Sequence, residues 1–530
     1  MVTTLFLRPT VLVPATLLVV YLAYRLFVKL KPSKLPNIPI IGAKKDDWFP
    51  VLQAAWRNTL DFKAALLLVD KEHKNEAVLL PFASNISNMV LLPRSDTQWV
   101  IDQPDSVLNL HTKVEDDLQI DYTVTDPHLI HNPTHHKLIT TTLTNQVGNL
   151  VPDLIDEAEW AFGEHWGSPQ EYTDVCVYET LRCAIGNVTN RVFLGKPMCR
   201  NKDLLALAMA FAQDIPVGSQ LLLMVPKPLR PLAALLITIP NKLHTWRYLN
   251  LIRPLIKKRL AEYDARQRDP EDKSLSPPPN DFLQWSIDQA RTSGDPYMYK
   301  PDTLGGRVLL VSFASLHTSS FALTHAVLDL ASSKQEYISE LREEIESVLA
   351  EHGGQWNKRA LSKMEKLDST LRESQRMNSF VTLGLGRRVM AKDGITAPSG
   401  VRLPYGMDIS VPGYTVFKDN VLYPDADQFQ PFRFSQQRRD LMERSESYLK
   451  SAGKAWATTS NEYIAFGHGR NACPGRFFAS SELKLMLAHI VMNYDFEMQE
   501  TRPKNLWFGI NRVPPMKATI RVKKRVAASS

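Results

Sequence analysis

The chain has 530 residues, 44% hydrophobic and 22% charged, with 63 Lys and Arg against 56 Asp and Glu for a net charge of +7. That balance is typical of a folded protein with a large core and excludes a disordered chain. The positive excess includes no dense basic tract interleaved with aromatics, so nucleic acid is not an expected partner; an acidic protein or an anionic membrane face suits it better.

Residues 1–30 read as a membrane anchor. Thr10 to Val28 is an almost uninterrupted apolar run, close to the ~20 residues that one tilted span requires. Arg25 can reach back to the interface, and Lys29, Lys31 and Lys34 follow, which places the C-terminal side in the cytosol. A cleaved signal peptide would carry its charges before the run and small residues at its end. Residues 31–45 contain Pro32, Pro36 and Pro39 and read as a stiff, non-helical hinge.

Residues 46–530 read as one large body. A helix is expected over 46–70, then short strands at 76–82 and 89–92 with Asn and Ser between them. Helical periodicity follows at 140–165, 203–214, 242–267, 302–332, 334–352 and 361–378. Strand-like pieces occupy 388–412 and recur after 500. The apolar stretch from Leu221 to Ile239 is broken by Pro226, Pro228 and Pro231, so a surface loop dipping into a bilayer competes with core packing. The stretch from Val308 to Leu330 is apolar nearly all round yet carries His317, Thr318 and His325, as a long buried helix would. The four cysteines, Cys176, Cys183, Cys199 and Cys473, show neither CxxC nor zinc spacing and suit a reducing compartment. Asn85-Ile-Ser87 and Asn187-Val-Thr189 match glycosylation sequons, a frequent chance match.

The richest segment is Phe466-Gly-His-Gly469-Arg470-Asn471-Ala-Cys473-Pro474-Gly475. Glycines permit tight turns and close approach of a flat ligand. Pro474 suits the first position of a helix running on from Arg476, which would put Cys473 at a helix N-terminus, where amides and the dipole favour a thiolate. A lone thiolate presented to a planar group meets the needs of a haem–thiolate site. Glu373-x-x-Arg376 lies on an expected helix, where i and i+3 share a face, and Phe429-Gln-Pro431-Phe-Arg433-Phe434 follows.

In these motifs the chain resembles the cytochrome P450 family, over essentially everything after residue 35. The resemblance implies a mainly α fold with small β-sheets and haem b bound through Cys473 as axial iron ligand. Phe466, Gly469 and Gly475 complete the signature, and Arg470 belongs to the same cofactor loop. The usual Arg or His on a haem propionate is replaced by Asn471, which carries no charge. By the same resemblance Arg388, in the frame Arg-Val-x-x-x-Asp393, is expected on a propionate in preference to Arg387, and His136 and Lys137 are further candidates. Glu373, Arg376 and Arg433 are expected to form a structural ion network behind the cysteine loop; Arg's rigid fork suits it.

The expected central-helix motif reads Ala314-Ser315-Leu316-His317-Thr318-Ser319. A His replaces the family acid, as in many fungal members. The resemblance gives Thr318 a hydrogen bond to bound dioxygen or a nearby water, and His317 can relay protons. The plainer alternative for Thr318 is a hydroxyl bonded to its own helix backbone. Substrate contacts are expected from Val381–Leu385 and Phe508–Ile510, and a lipophilic substrate follows.

The chain is similar to fungal P450s of specialised metabolism, such as ent-kaurene oxidase, gibberellin and indole-diterpene enzymes. It is therefore expected to be a monooxygenase of a terpenoid or related metabolite. NADPH–cytochrome P450 reductase is the expected electron donor, with cytochrome b5 a further partner. The setting is the endoplasmic reticulum membrane, single-pass, with the catalytic body facing the cytosol. Two rivals differ in chemistry: a haem–thiolate isomerase or dehydratase that needs no reductase, and a non-catalytic, membrane-tethered haem- or lipid-binding protein.

Overall fold

The computed structural model describes residues 36–84, 89–271, 274–444 and 448–526. The expected anchor, the start of the hinge and the Asn85 sequon lie outside them. The described end of the hinge is pinned to the body. Ile41 N donates to Leu79 O and Leu79 N to Pro39 O, both at 2.9 Å, so this stretch extends the edge of a sheet.

Helices dominate, and their ends are chemically marked. The expected helix over 46–70 divides into Pro50–Leu60 and Phe62–Glu72. The cause is Asp61, whose carboxylate accepts from Ala64 N at 2.9 Å and opens a new helix. Met364 likewise separates Lys358–Lys363 from Glu365–Asn378. Asn201 caps Lys202–Met224, and Asp281 caps Phe282–Ser293, which ends on Gly294 at φ +70°. The helices without a counterpart in the periodicity include Phe282–Ser293 and Val177–Phe193. The second is buried on nearly every side, including Asn187, Thr189 and Asn190. The Asn187 sequon is therefore internal, with Nδ2 donating to Cys199 O at 2.9 Å.

The central helix, Pro301–Ala331, is 31 residues long, or about 46 Å at the helical rise. It packs against Val177–Phe193, Lys202–Met224, Ile239–Arg268 and Glu365–Asn378. Gly305 allows the approach of Ile239–Arg268, since a Cβ there would lie 2.7 Å from Leu249 Cδ2. Among the described residues this helix and Lys202–Met224 are long and apolar enough to cross a membrane, but the central helix is mostly buried, as a core element is.

The apolar stretch from Leu221 to Ile239 forms the end of one helix, a break at Val225–Pro226 and a short helix, Arg230–Ile237, rather than a loop. Leu232, Leu235 and Leu236 are 70%, 60% and 74% exposed, so this short helix turns an apolar face outward. The largest sheet has five strands in the order Val78–Leu79, Met89–Leu91, Asp408–Pro412, Leu383–Val389, Leu108–Asn109. The C-terminal strand Thr519–Lys524 pairs with Thr173–Cys176 and Tyr494–Phe496.

Candidate active site

The cysteine loop is a tight glycine turn. Gly467 and Gly469 have φ of +69° and +70°, a region that other residues enter only with strain. A Cβ on Gly469 would also lie 2.4 Å from Ile101 Cγ2. Cys473 N donates to Phe466 O at 2.7 Å and closes the loop. The following helix is Arg476–Asn493, with Gly475 as its N-cap. Pro474 therefore sits in the preceding turn, not at the first helical position. The helix start still serves the thiol, because the amides of Gly475 and Arg476 point at it. The Cys473 sulfur is accessible but closely surrounded by protein, so lost hydration outweighs those amides and the Arg476 charge and pushes the thiol pKa up. The protein alone thus favours the thiol; coordination to iron would remove its proton.

The loop rests on an ion network that is almost entirely buried. Glu373 accepts from Arg376 Nε at 2.8 Å, Arg376 Nη2 at 2.9 Å and Arg433 Nε at 3.0 Å. Arg376 also donates to Phe417 O and to Ala426 O, and Arg433 to Pro424 O. The segment 417–433 is thereby fixed to the Glu365–Asn378 helix. The neighbouring Gln375 accepts from Trp456 Nε1 at 2.6 Å and from Tyr463 Oη at 2.8 Å. The Trp456 ring lies 5.6 Å from that of Phe466. A continuous path thus runs from the Glu-x-x-Arg helix to the turn that holds Cys473.

The strand Leu383–Val389 separates two adjacent arginines. Its pairing with Asp408–Pro412 slips by one residue between Gly384 and Arg387, and Leu385, with φ +53°, sits at that irregularity. Bulges of this kind re-aim side chains. Arg388 is committed to carboxylates: Nε donates to Asp408 at 2.7 Å, and Nη1 pairs with Asp116 at 2.9 Å. Arg387 is buried, and among the described residues its one side-chain hydrogen bond runs from Nη1 to Gly386 O at 2.8 Å. Burial lowers its pKa to about 10; Asp105 opposes this and Arg470 adds to it. Arg470 donates to Gln103 O and lies 3.4 Å from Asp105. The Asn471 side chain has no hydrogen-bond partner among the described residues. Arg387 and Arg470 therefore form an electropositive corner with donors to spare, which suits an anionic group such as a propionate. Arg388, expected on a propionate from the Arg-Val-x-x-x-Asp frame, already has carboxylate partners, so Arg387 competes with it for that role.

On the central helix, Ala314 and Thr318 are exposed within a largely buried element, one turn apart. Thr318 Oγ1 donates to Ala314 O at 2.9 Å, the plainer of its two expected states, although its surface stays accessible. His317 faces elsewhere: Nδ1 lies 3.3 Å from Tyr178 Oη. Burial, and to a lesser degree Arg182, lowers its pKa to about 4. His136 and Lys137 are exposed. The two apolar segments expected at the substrate meet, since Thr382 Oγ1 donates to Ile510 O.

A flat, dianionic group with a thiolate-seeking metal fits this set: an accessible sulfur with amides beside it, a glycine turn, and a paired cationic corner. Sequence reading missed Tyr178, which belongs to no motif, and Gln375, an unassigned position within Glu373-x-x-Arg376; both are polar residues on faces that turn inward.

The cytochrome P450 family model matches residues 119–515. The chain is 30% identical over 494 residues to the cytochrome P450 monooxygenase gloP of Glarea lozoyensis, covering 91% of this chain and 90% of that one. It is 32% identical over 508 residues to the cytochrome P450 monooxygenase AN1598 of Emericella nidulans, covering 94% and 89%. Among solved structures, retinoic acid-bound cyanobacterial CYP120A1 superposes with a TM-score of 0.63 at 19% identity, over 93% of this chain and all of that one.

Proposed function

The chain belongs to the cytochrome P450 family and is a haem-dependent monooxygenase, and from that premise we propose that it oxygenates a lipophilic, terpenoid-like small molecule with electrons from NADPH through a separate reductase. When bound, the haem supplies the activation of dioxygen. Cys473 would supply the sulfur that holds the iron, and the Gly475 and Arg476 amides would temper its charge. Arg387 and Arg470 hold the propionate edge, in place of the charge that Asn471 lacks. The Glu373–Arg376–Arg433 network keeps the cysteine turn in place. Thr318, accessible on the central helix, positions a proton at its hydroxyl. Val381–Leu385 and Phe508–Ile510 offer apolar contact to the substrate.

Residues 1–30 anchor the body, and the outward face of Leu232, Leu235 and Leu236 supports contact with the same bilayer. This reading places the body on the cytosolic face of the endoplasmic reticulum, where the reductase and cytochrome b5 are accessible partners.

The observation that carries the reading is the accessible Cys473 in its closed glycine turn. The test is the ferrous–carbon monoxide difference spectrum of wild type and Cys473→Ala. A strongly red-shifted Soret band that vanishes in the variant is expected. A histidine-like spectrum, or no haem, overturns the reading.

A further inference from the structure

Four side chains from three parts of the chain close a hydrogen-bonded ring. Asp329 lies in the last turn of the central helix, Asn378 ends the helix Glu365–Asn378, and Arg502 and Asn505 precede the strand Leu506–Phe508. Arg502 Nε donates to Asp329 Oδ1, and Arg502 Nη1 to Asn505 Oδ1 at 2.8 Å. Asn505 Nδ2 donates to Asn378 Oδ1 at 2.8 Å, and Asn378 Nδ2 to Asp329 Oδ2 at 2.7 Å. Asp329 and Asn378 are buried. The directions are forced by chemistry. A guanidinium only donates, so Asn505 presents its oxygen to Arg502 and its amide nitrogen to Asn378. Asn378 must then accept on its oxygen and donate to Asp329. Flipping either amide would set two donors against each other. Ser374 Oγ adds a donor to Asp329 Oδ2 at 2.6 Å. The rest of the guanidinium is engaged too, with Nη1 on Pro503 O at 2.8 Å and Nη2 at 3.0 Å from His325 Nδ1.

The ring holds the stem of a hairpin. Leu506–Phe508 pairs with Asn511–Val513, with Trp507 opposite Arg512 and Gly509 in the turn at φ +57°. Side chains alternate between the two faces of a strand. Trp507 packs on Tyr414 with ring centroids 5.4 Å apart, and Arg512 donates to Met377 O. Leu506 and Phe508, on the opposite face from Trp507, are exposed. At the turn, Ile510 O accepts from Thr382 Oγ1. Two residues before Thr382, the Phe380 ring lies 5.7 Å from that of Phe321. Phe321 is three residues on from Thr318 and so adjoins it along the central helix. The tip of the hairpin therefore meets a wall that runs back to the accessible Thr318, while its stem is fixed by the ring.

We infer that Arg502 is a positioning residue for substrate: by closing the ring with Asp329, Asn378 and Asn505 it fixes the hairpin that presents Phe508 and Ile510, and so selects among bulky apolar ligands. A hairpin held in advance spares the ligand the cost of ordering it. This rests on the monooxygenase reading above and on the apolar contacts assigned there to Phe508–Ile510.

The test uses the full chain with its haem and two azoles that bind iron through nitrogen, imidazole and the much larger clotrimazole, each titrated by its Soret shift. Arg502→Met removes the donors and keeps an apolar stem of similar length. The clotrimazole dissociation constant should rise about tenfold while that of imidazole stays within about twofold, because only the larger ligand reaches the hairpin and must then order it. The carbon monoxide spectrum should not change. Asn505→Ala opens the ring but leaves the Arg502–Asp329 pair, and should raise the clotrimazole constant about threefold. The double variant should bind clotrimazole about as Arg502→Met does, since one ring can be opened only once. Phe508→Ala tests the contact itself and should also weaken clotrimazole. Clotrimazole binding that falls in Phe508→Ala but not in Arg502→Met overturns the inference. So does an equal loss for both azoles, the mark of general damage, or effects that multiply in the double variant. No change in either Phe508→Ala or Arg502→Met overturns it together with the contact reading. If Arg502→Met fails to fold, an unchanged clotrimazole constant in Asn505→Ala refutes the ring. A wild type without the red-shifted carbon monoxide band would instead refute the haem–thiolate reading.

Discussion

Glu373→Ala isolates the contribution of the buried ion network. The carboxylate is fully buried and accepts three guanidinium hydrogen bonds at 2.8–3.0 Å, with a longer one from Gln430 N at 3.3 Å. Its removal leaves Arg376 and Arg433, 1% and 5% exposed, with only backbone carbonyls to face. Uncompensated charge of this kind costs about 3–5 kcal/mol, a large share of the 5–15 kcal/mol that holds most folded proteins together. Over 530 residues, unfolding entropy of about 2.1 cal/mol/K per residue gives roughly 1.1 kcal/mol per degree, so the expected fall in Tm is about 3–5 °C. The path through Gln375, Trp456 and Phe466 adds a second effect, a lower haem content at equal protein. Differential scanning calorimetry and the carbon monoxide spectrum read the two together. A Tm within 1 °C of wild type would refute the assignment of Glu373 as the main counter-charge of the network. A large fall in Tm with full haem retention would refute the path to the cysteine turn.

The two adjacent arginines should separate by assay. Arg387→Met should speed haem release with little change in the Tm of the haem-free chain, while Arg388→Met, by removing the guanidinium that binds both Asp408 and Asp116, should lower that Tm by about 3 kcal/mol equivalent; equal effects on both readouts would refute the distinction. Asn471→His adds a donor where the side chain has none to satisfy, and should slow or leave unchanged the transfer of haem to apomyoglobin; faster loss would contradict the reading of that position. Glu482 is fully buried, with Thr189 donating to it at 2.6 Å, and burial raises its pKa from 4.5 to about 8. The folded state then binds a proton that the unfolded state releases above pH 4.5, so stability falls as pH rises towards 8 and levels off beyond. Glu482→Gln should melt like wild type near pH 4.5 and above it at pH 8, by at most about 5 kcal/mol equivalent; a gain that is independent of pH would show that the carboxyl does not titrate there. In a chain lacking residues 1–30, replacing Leu232, Leu235 and Leu236 with Ser should weaken binding to anionic vesicles, measured by flotation, and equal binding would place the membrane contact elsewhere.

Much of this site was legible because its motifs are short. The three-residue spacing of Glu373 and Arg376 brings both to one face of any helix, and Arg433 follows within its own compact motif. The glycine turn around Cys473 needs only local backbone freedom. What escaped reading depends on long-range packing. Val177–Phe193 buries Asn187, Thr189 and Asn190 with its apolar residues because other elements enclose it, so polarity does not mark the burial of the helix that carries Tyr178. Asp61 splits a helix in two from a position that reads equally well as part of one surface helix.

The harder ambiguities share one form, a choice between adjacent residues. Arg387 or Arg388, His317 or Thr318, and Arg470 or Asn471 are each equally available to a motif that counts positions. On a strand a one-residue step reverses the face, and a bulge at Leu385, whose positive φ no side-chain preference announces, decides which arginine meets Asp408. On the central helix a one-residue step is about a quarter-turn, enough to send His317 to Tyr178 while Thr318 stays accessible. In the cysteine loop Arg470 reaches back to Gln103 and Asp105, so positive charge stands one residue before the uncharged Asn471. A substitution that breaks a family motif at one position can therefore leave its chemistry intact, provided that an adjacent backbone step aims an equivalent group at the same point.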